Sequence, residues 1–352
     1  MTRPRPDGEA AFLGPTAKGW KVVYALAIVA LLAPLPRTAI ERWYSDGIYP
    51  ALQRSLTPLS NFVSVPLFDV LCLALVAALA VIAWRARLKP RWIGVGCVLR
   101  SVARGAAVLY LVFLATWGLN YRRVPLADKL VFDAARVTPE AAASLAVRAI
   151  ASLNRLYLAA HAAETPLPAL ALAFHDAQRA LGSPRVIVPG RPKDTLLGGY
   201  FHYTAIAGMT DPFFLETLVA PDLIDVERPF VIAHEWGHLA GYADESEANY
   251  LAWLACMRGD ARAQYSAWLA LLGDLQPFIP KGTRLDGGPR SDLFALRYRY
   301  ARTSPVLRAA AREGYDRYLR ANRVERGIES YDLVVQLILG AETAADGNPK
   351  LR

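Results

Sequence analysis

The sequence contains little charge and almost no cysteine. Charged residues make up 20% of the 352 positions and hydrophobic residues 54%, and the mean hydropathy is +0.22. Soluble globular proteins carry roughly 25% charged residues and are less hydrophobic on average, so the composition excludes a disordered chain and indicates a membrane component. The three cysteines (Cys72, Cys97 and Cys256) are too few for a disulfide framework.

Acidic residues are scarce in the N-terminal third of the chain. Residues 1–125 hold 15 Lys and Arg against 5 Asp and Glu, a net charge of +10. Residues 126–352 hold 25 against 26, a net charge of −1. A nucleic-acid-binding protein concentrates positive charge on its folded domain, so this distribution argues against nucleic acid as a partner. The length leaves room for a membrane region and one domain of about 220 residues.

Three apolar segments predict three transmembrane helices, at about residues 20–36, 63–84 and 105–121. A spanning helix needs about 20 mostly apolar residues, with about 17 as the lower bound. The second and third segments meet this requirement. The first has only 15 uncharged residues, so it spans only if Lys21 snorkels and Trp20 lies in the interface. A cleaved signal peptide is the alternative for this first segment.

The distribution of Lys and Arg around these segments predicts the orientation. The N-terminal tail holds four of these residues, loop 37–62 holds three, and loop 85–104 holds six within twenty positions. Because positively charged loops stay in the cytoplasm, the tail and loop 85–104 are predicted to be cytoplasmic. Everything after Tyr121 is then predicted to be extracytoplasmic.

The C-terminal part has the sequence pattern of an α+β, mostly helical domain. Thr138 and Pro139 are typical of a helix start, and Pro168–Leu181 predicts a second helix. Arg185–Val188 and Leu196–Met209 are predicted to be short strands, and helices follow from residue 226 onward. The predicted parts of the chain are a disordered tail at 1–19, a membrane region at 20–124 and a folded domain at 125–352.

A His-Glu-x-x-His motif lies at 234–238. His234 and His238 are four residues apart, so both imidazoles project from one face of a helix, as a metal site requires. Glu235 lies beside them, where its carboxylate can take a proton from a metal-bound water. The alternative is an exposed polar helix face, but the apolar run before the motif and the acidic cluster after it favour a metal site.

A catalytic zinc ion usually has three protein ligands, and three carboxylates follow the motif. Asp244 fits an extended motif, but Asp244-x-x-Glu247 also resembles a capping box that starts a second helix. Glu245 is then left free, one helical turn from Asn249, which could hold the second ring nitrogen of a ligating histidine. Glu245 ranks first as the third ligand, Asp244 second and Glu247 last.

The motif followed by Glu-x-Glu-Ala-Asn resembles the glutamate-zincin arrangement, in which the first Glu of the second helix is a metal ligand. The whole chain resembles the bacterial membrane family catalogued as domain of unknown function 3810. The matching segments are Trp117–Arg123, Gly208–Glu216, His234–Cys256 and Asn322–Tyr331. The resemblance implies a zincin-like domain over 125–352 in a multi-pass protein of the bacterial cytoplasmic membrane. Its members often carry a basic residue in place of Asp244, which favours Glu245 as the ligand.

Together these features predict a membrane-anchored zinc metallopeptidase whose catalytic domain lies outside the cytoplasm and acts on a peptide or protein substrate. One Zn²⁺ would be held by His234, His238 and Glu245, with Glu235 as the general base. Charged residues bracket the motif too closely for an intramembrane protease. The alternatives are a non-catalytic zinc-binding scaffold or sensor, and a cell-envelope amidase.

Further residues are predicted to contact the substrate. His202, Tyr203 and Tyr331 are candidate hydrogen-bond donors to an oxyanion. The predicted strand Leu196–Met209 comes shortly before the motif, where zinc peptidases commonly place an edge strand that binds substrate by backbone pairing.

Overall fold

The computed structural model describes residues 17–322 and 333–352. The described chain is mostly helical, which confirms the predicted class. Its α-helices are α1 Ala17–Leu32, α2 Arg37–Ala39, α3 Tyr49–Phe62, α4 Leu67–Arg87, α5 Arg91–Thr116, α6 Leu126–Lys129, α7 Pro139–Ala162, α8 Leu167–Ala180, α9 Gly198–Thr204, α10 Arg228–Leu239, α11 Glu245–Arg258, α12 Ala261–Leu275, α13 Gly287–Ala301, α14 Pro305–Ala321 and α15 Val334–Gly340. A π-helix at Ile40–Ile48 joins α2 to α3, and 3₁₀ helices lie at Gly118–Arg122, Ala134–Arg136 and Gln276–Phe278.

Three short strands form one small sheet. They are β1 Pro192–Lys193, β2 Gly208–Thr210 and β3 Thr217–Val219. The order is β1-β3-β2, with β1 parallel and β2 antiparallel to the central strand. In the part of the chain that the structure describes, β2 is therefore an edge strand.

The prediction of a strand at Arg185–Val188 is wrong. Side chains rather than a neighbouring strand bind the backbone of this segment. Gln178 accepts a hydrogen bond from Ile187 N (3.2 Å), and Gln53 both accepts from Val188 N (3.0 Å) and donates to Val188 O (2.7 Å). Because glutamine side chains form the hydrogen bonds of these backbone groups, the segment does not pair with a neighbouring strand.

The prediction of a strand over Leu196–Met209 is also wrong for most of its length. The Thr195 hydroxyl accepts a hydrogen bond from Leu197 N (3.0 Å), and α9 follows at once. Ala205 ends the helix in the left-handed conformation, with φ at 61°. Only Gly208 and Met209 of the predicted segment belong to a strand, namely β2.

Among the described residues, two helices, α4 and α5, are long and apolar enough to cross a membrane. A third candidate span arises only if Lys18–Leu32 and Arg37–Phe62, which are separated by a sharp bend, form one span together. The third predicted span was placed at 105–121, but α5 begins at Arg91 and ends at Thr116, so much of the predicted basic loop is helical. Residues 17–19 of the predicted tail belong to α1, and residues 1–16 lie outside the described residues.

The chain forms two compact units, and the boundaries between them differ from the predicted boundary at residue 125. One unit combines Met1–Pro34 with Leu75–Leu114, and the other combines Leu35–Ala74 with Ala115–Arg352. Segment 37–62 was predicted to be a loop of the membrane region. It is instead helical and belongs to the same unit as the C-terminal part.

The core of the second unit is built from five helices. α7 packs on α12, while α11 packs against α8, α10 and α12. Thr138 caps α7 through a hydrogen bond from Ala141 N, as predicted. On α10, the fully buried Trp236 ring meets Phe174 of α8 edge to face at 5.6 Å. The helix that carries the His-Glu-x-x-His motif is therefore fixed on its apolar side by the core.

Candidate metal centre

Two glycines set how the motif helix α10 meets the next helix, α11. A Cβ on Gly237 would lie 3.0 Å from Ala248 Cα, so glycine lets the two backbones approach closely. Gly241 makes the turn between the helices with φ at +81°, a conformation that favours glycine. This close packing places the first turn of α11 against the two histidines.

The start of α11 assigns structural roles to two of the three candidate carboxylates. Asp244 is the N-cap and accepts hydrogen bonds from Ser246 N (2.9 Å) and Glu247 N (3.3 Å), which confirms the predicted cap. Glu247 points elsewhere and accepts a hydrogen bond from Leu126 N (2.6 Å). Glu245 is left as the carboxylate that faces the histidines.

His234, His238 and Glu245 bring three ligand atoms together. The Nε2 atoms of His234 and His238 lie 3.1 Å apart, and Glu245 Oε2 lies 3.2 Å from the first and 3.4 Å from the second. In a tetrahedral zinc site with bonds of about 2.0–2.1 Å, two ligand atoms are about 3.4 Å apart. The triangle thus has the size that a tetrahedral zinc site requires.

The hydrogen bonds behind the histidines orient their lone pairs. His238 Nδ1 lies 2.8 Å from the backbone oxygen of Tyr242, which can only accept, so Nδ1 carries a proton. His234 Nδ1 lies 2.7 Å from Asn249 Oδ1, the contact expected from the sequence. Both Nε2 atoms are thereby free to present lone pairs to the same point as the Glu245 carboxylate. These donors fit a divalent zinc ion.

The electrostatics of the cluster favour a cation. Burial opposes a charge on His238, but the Glu245 carboxylate outweighs it and raises the pKa of the imidazole to about 9. Burial also opposes the charge on Glu245, yet His238 and His234 hold the pKa of that carboxyl well below its usual range. The carboxylate thus favours a positive charge at the point where the three ligand atoms meet, and a proton and a metal ion would compete for the same lone pairs.

The side chain of Glu235 is buried next to the cluster and packs against β2. Its side chain accepts a hydrogen bond from the Thr210 hydroxyl, with Oε2 at 2.9 Å. A Cβ on Gly208 would lie 2.7 Å from Glu235 Oε1, so the strand passes close to this carboxylate. Burial raises the pKa of Glu235, while His234 and His238 oppose the rise. A raised pKa suits a group that must take up a proton.

Several residues that support the site were missed by the sequence analysis. The Tyr315 hydroxyl of α14 donates a hydrogen bond to Glu245 Oε1, which leaves Oε2 to face the histidines. At the end of α10, Trp117 Nε1 donates to His238 O (2.9 Å) and the Tyr49 hydroxyl to Leu239 O (2.8 Å). These contacts join segments 70 to 190 residues apart, and no local spacing marks them.

Of the remaining predicted substrate contacts, His202 and Tyr203 make other contacts in the structure, and Tyr331 lies outside the described residues. His202 Nδ1 pairs with Asp222 Oδ2 at 2.7 Å. Tyr203 is 51% exposed, and its backbone oxygen accepts a hydrogen bond from Ser304 N (3.0 Å). Tyr331 lies outside the described residues. A contact with substrate stays a prediction for all three.

The fold and the site define a mostly helical protein with two candidate membrane spans and a cluster of two histidines and one glutamate. The chain belongs to the family described as Protein of unknown function (DUF3810), whose model matches residues 44–339. This match confirms the family resemblance, whereas the resemblance to glutamate zincins stays a prediction. No curated protein and no solved structure matches the chain.

Proposed function

We propose that this protein is a membrane-anchored zinc metallopeptidase. The observation that carries the proposal is the buried carboxylate of Glu235 beside three convergent ligand atoms, those of His234, His238 and Glu245. A purely structural metal site, as in the scaffold or sensor alternative, has no use for such a base. Bound zinc would supply a Lewis acid that polarises a carbonyl and makes water acidic.

The residues of the chain act as the general base and position the groups of the site. Glu235 takes the proton of the attacking water at its carboxylate and passes it to the leaving amine. Thr210 holds that carboxylate through its hydroxyl. The first turn of α11 holds Glu245, and Asn249 orients the ring of His234.

Among the described residues no strand pairs with the outer edge of β2, and this open edge favours a peptide as the substrate. Ala207 O accepts from Ala220 N (2.8 Å) and Asp211 N donates to Glu216 O (3.0 Å), so the alternate residues 207, 209 and 211 are the ones that bond to β3. In an antiparallel ladder the residues between them point their backbone groups the other way. Gly208 and Thr210 therefore present N–H and C=O groups at the open edge, beside Glu235, where an extended peptide can add as a strand.

We propose the cytoplasmic membrane of a bacterium as the location, with the residues after Tyr121 outside the cytoplasm. Only the short turn at 88–90 separates α4 from α5, and Arg85, Arg87, Lys89 and Arg91 surround it. Such a charged turn stays in the cytoplasm. Alkaline phosphatase fused after residue 130 is expected to be active in cells. Activity from a fusion within 86–99, without activity after 130, would contradict this orientation.

The test of the proposed reaction compares wild type with Glu235→Gln, both as full chain in detergent or nanodiscs. The amide keeps the side-chain volume but removes the proton acceptor, so hydrolysis of a peptide library is expected to fall at least about a hundredfold with zinc retained. Equal turnover by both proteins would refute Glu235 as the base. Glu235-dependent cleavage of cell-wall amides without cleavage of peptides would favour the amidase alternative.

A further inference from the structure

Segment 37–65, which contains the predicted loop 37–62, exposes large apolar side chains and buries several polar ones. Its buried positions are mostly polar and are Ile40, Tyr44, Ser45, Tyr49, Gln53, Thr57 and Ser60. Its exposed positions include the large apolar residues Trp43, Ile48, Leu59, Phe62 and Val65. In a helix that simply covers a protein core, the apolar side faces inward. Here the apolar side faces away from the unit.

The buried polar side is bound to the rest of its unit by specific hydrogen bonds. Gln53 donates to Val188 O (2.7 Å), and Thr57 donates to Leu215 O (3.0 Å). Asn61 donates to Pro189 O (3.0 Å) and accepts from Arg191 N (2.7 Å). Because these bonds fix which side of the helix faces the unit, the apolar side is held outward and cannot rotate inward.

The exposed apolar residues of α3 form a stripe on one side of the helix. Ile48, Ala51, Leu52, Ser55, Leu59 and Phe62 follow the spacing of one helical face; Leu52 is half-buried, Ser55 is polar, and the other four are exposed and apolar. The exposed fraction is 58% for Ile48, 67% for Leu59 and 90% for Phe62. At 1.5 Å per residue, the 14 residues of α3 carry this stripe over about 21 Å. Trp43, in the π-helix that precedes α3, is also exposed, and the Arg42 guanidinium lies 5.1 Å from the centre of its ring.

Chain continuity identifies what covers the stripe. α3 ends at Phe62 and α4, which is long and apolar enough to span a membrane, begins at Leu67. Only residues 63–66 lie between them, so the end of the stripe is close to the point where the chain would enter the bilayer. Tryptophan and arginine are typical of the membrane–water interface. We infer that the face formed by Ile48, Leu59 and Phe62 docks on the lipid surface as an interfacial helix, with the exposed Trp43 close to it in the sequence.

Docking on lipid gives the candidate metal helix a fixed relation to the bilayer. The same helix that presents the stripe holds the end of α10, through the hydrogen bond from the Tyr49 hydroxyl to Leu239 O. The interfacial helix therefore connects the lipid surface to the helix that carries the motif. The inference depends only on the exposed stripe and its neighbouring span, so it does not rest on the proposed peptidase activity.

The test is a nitroxide accessibility measurement on the full chain in lipid nanodiscs. Single labels are placed through Leu59→Cys and Phe62→Cys in a background in which the three native cysteines are replaced. Arg54→Cys is the matched control, because Arg54 is an exposed residue of the same helix outside the stripe. Both stripe positions are already exposed, so the labels leave the packing intact. A melting temperature equal to that of the unlabelled background confirms folding of each variant.

We expect labels at 59 and 62 to collide several-fold more often with oxygen, which concentrates in lipid, than with a water-soluble nickel complex. The label at 54 should show the reverse preference. Equal nickel accessibility at all three positions would overturn the inference, because the stripe would then face water. Protection from both reagents with dipolar broadening would also overturn it, because a second copy of the chain would then cover the stripe.

Discussion

Gly208→Ala tests whether the position of Glu235 matters for the reaction. The added Cβ would lie 2.7 Å from Glu235 Oε1, 2.9 Å from Cγ and 3.0 Å from Cδ, whereas ordinary contacts begin at 3.4 Å. The carboxylate must therefore move by about 0.7 Å. A misplacement of about 1 Å costs up to about a hundredfold in rate, so we expect kcat to fall tenfold to a hundredfold, about 1.4–2.7 kcal/mol.

The assay for this variant measures turnover of a peptide library and zinc affinity side by side. Zinc affinity should equal that of wild type, because the three atoms nearest to the added methyl group all belong to the base, Glu235. Gly199→Ala is the control, since a Cβ there meets nothing within 4 Å. Full activity in Gly208→Ala would refute the role of Glu235, and a loss of zinc would show that the strand supports the ligands instead.

Three further predictions follow from contacts around the site. Tyr315→Phe removes a hydrogen bond to Glu245 and should weaken zinc affinity about tenfold in a chelator competition, whereas the exposed Tyr200→Phe should not. Asp244→Ala should cost about 1 kcal/mol in a denaturation experiment and keep the metal, whereas Glu245→Ala should lose it. Burial raises the pKa of Asp211 to about 7, so the folded protein disfavours its charge and stability falls as pH rises from about 4 to about 7. Asp211→Asn removes this loss, so its melting temperature relative to wild type should rise between about pH 5 and about pH 8.

Each of these predictions has an outcome that contradicts it. Unchanged zinc affinity in Tyr315→Phe would mean that the tyrosine has no positioning role. Metal lost from Asp244→Ala but kept in Glu245→Ala would reverse the assignment of the third ligand. A melting-temperature difference for Asp211→Asn that does not change with pH would mean that the buried carboxyl does not titrate in this range.

The local geometry of the site could be predicted because short-range rules fix it. The four-residue spacing puts His234 and His238 on one face, and the capping pattern assigns Asp244 to the start of α11. With that cap in place, Glu245 and Asn249 fall one turn apart and both reach the histidines. The sequence analysis predicted these positions of the histidines, Asp244, Glu245 and Asn249 without knowledge of the fold. The metal itself stays a proposal.

The same short-range rules did not predict the contacts between distant residues, nor the helix whose apolar side is exposed. Tyr315 reaches Glu245 from 70 positions away, and Thr210 reaches Glu235 from a strand whose surroundings were mispredicted. Segment 37–62 was predicted to be a loop because it lies between two apolar segments that were predicted to span the membrane. Its buried residues Gln53 and Thr57 are polar because they bind backbone groups of other segments. The helical spacing of Ile48, Leu52 and Leu59 is the local signal that could have indicated this helix.

The zinc content of the purified full chain tests the central claim most directly. The chain is needed whole, because Tyr49 belongs to the same compact unit as the motif and would be lost from a fragment that begins at residue 126. After purification in zinc-containing buffer and removal of free metal, mass spectrometry should find one zinc per wild-type chain and almost none in His234→Ala or His238→Ala. A folded wild-type chain without zinc, or variants that keep as much zinc as wild type, would contradict the proposed metal site.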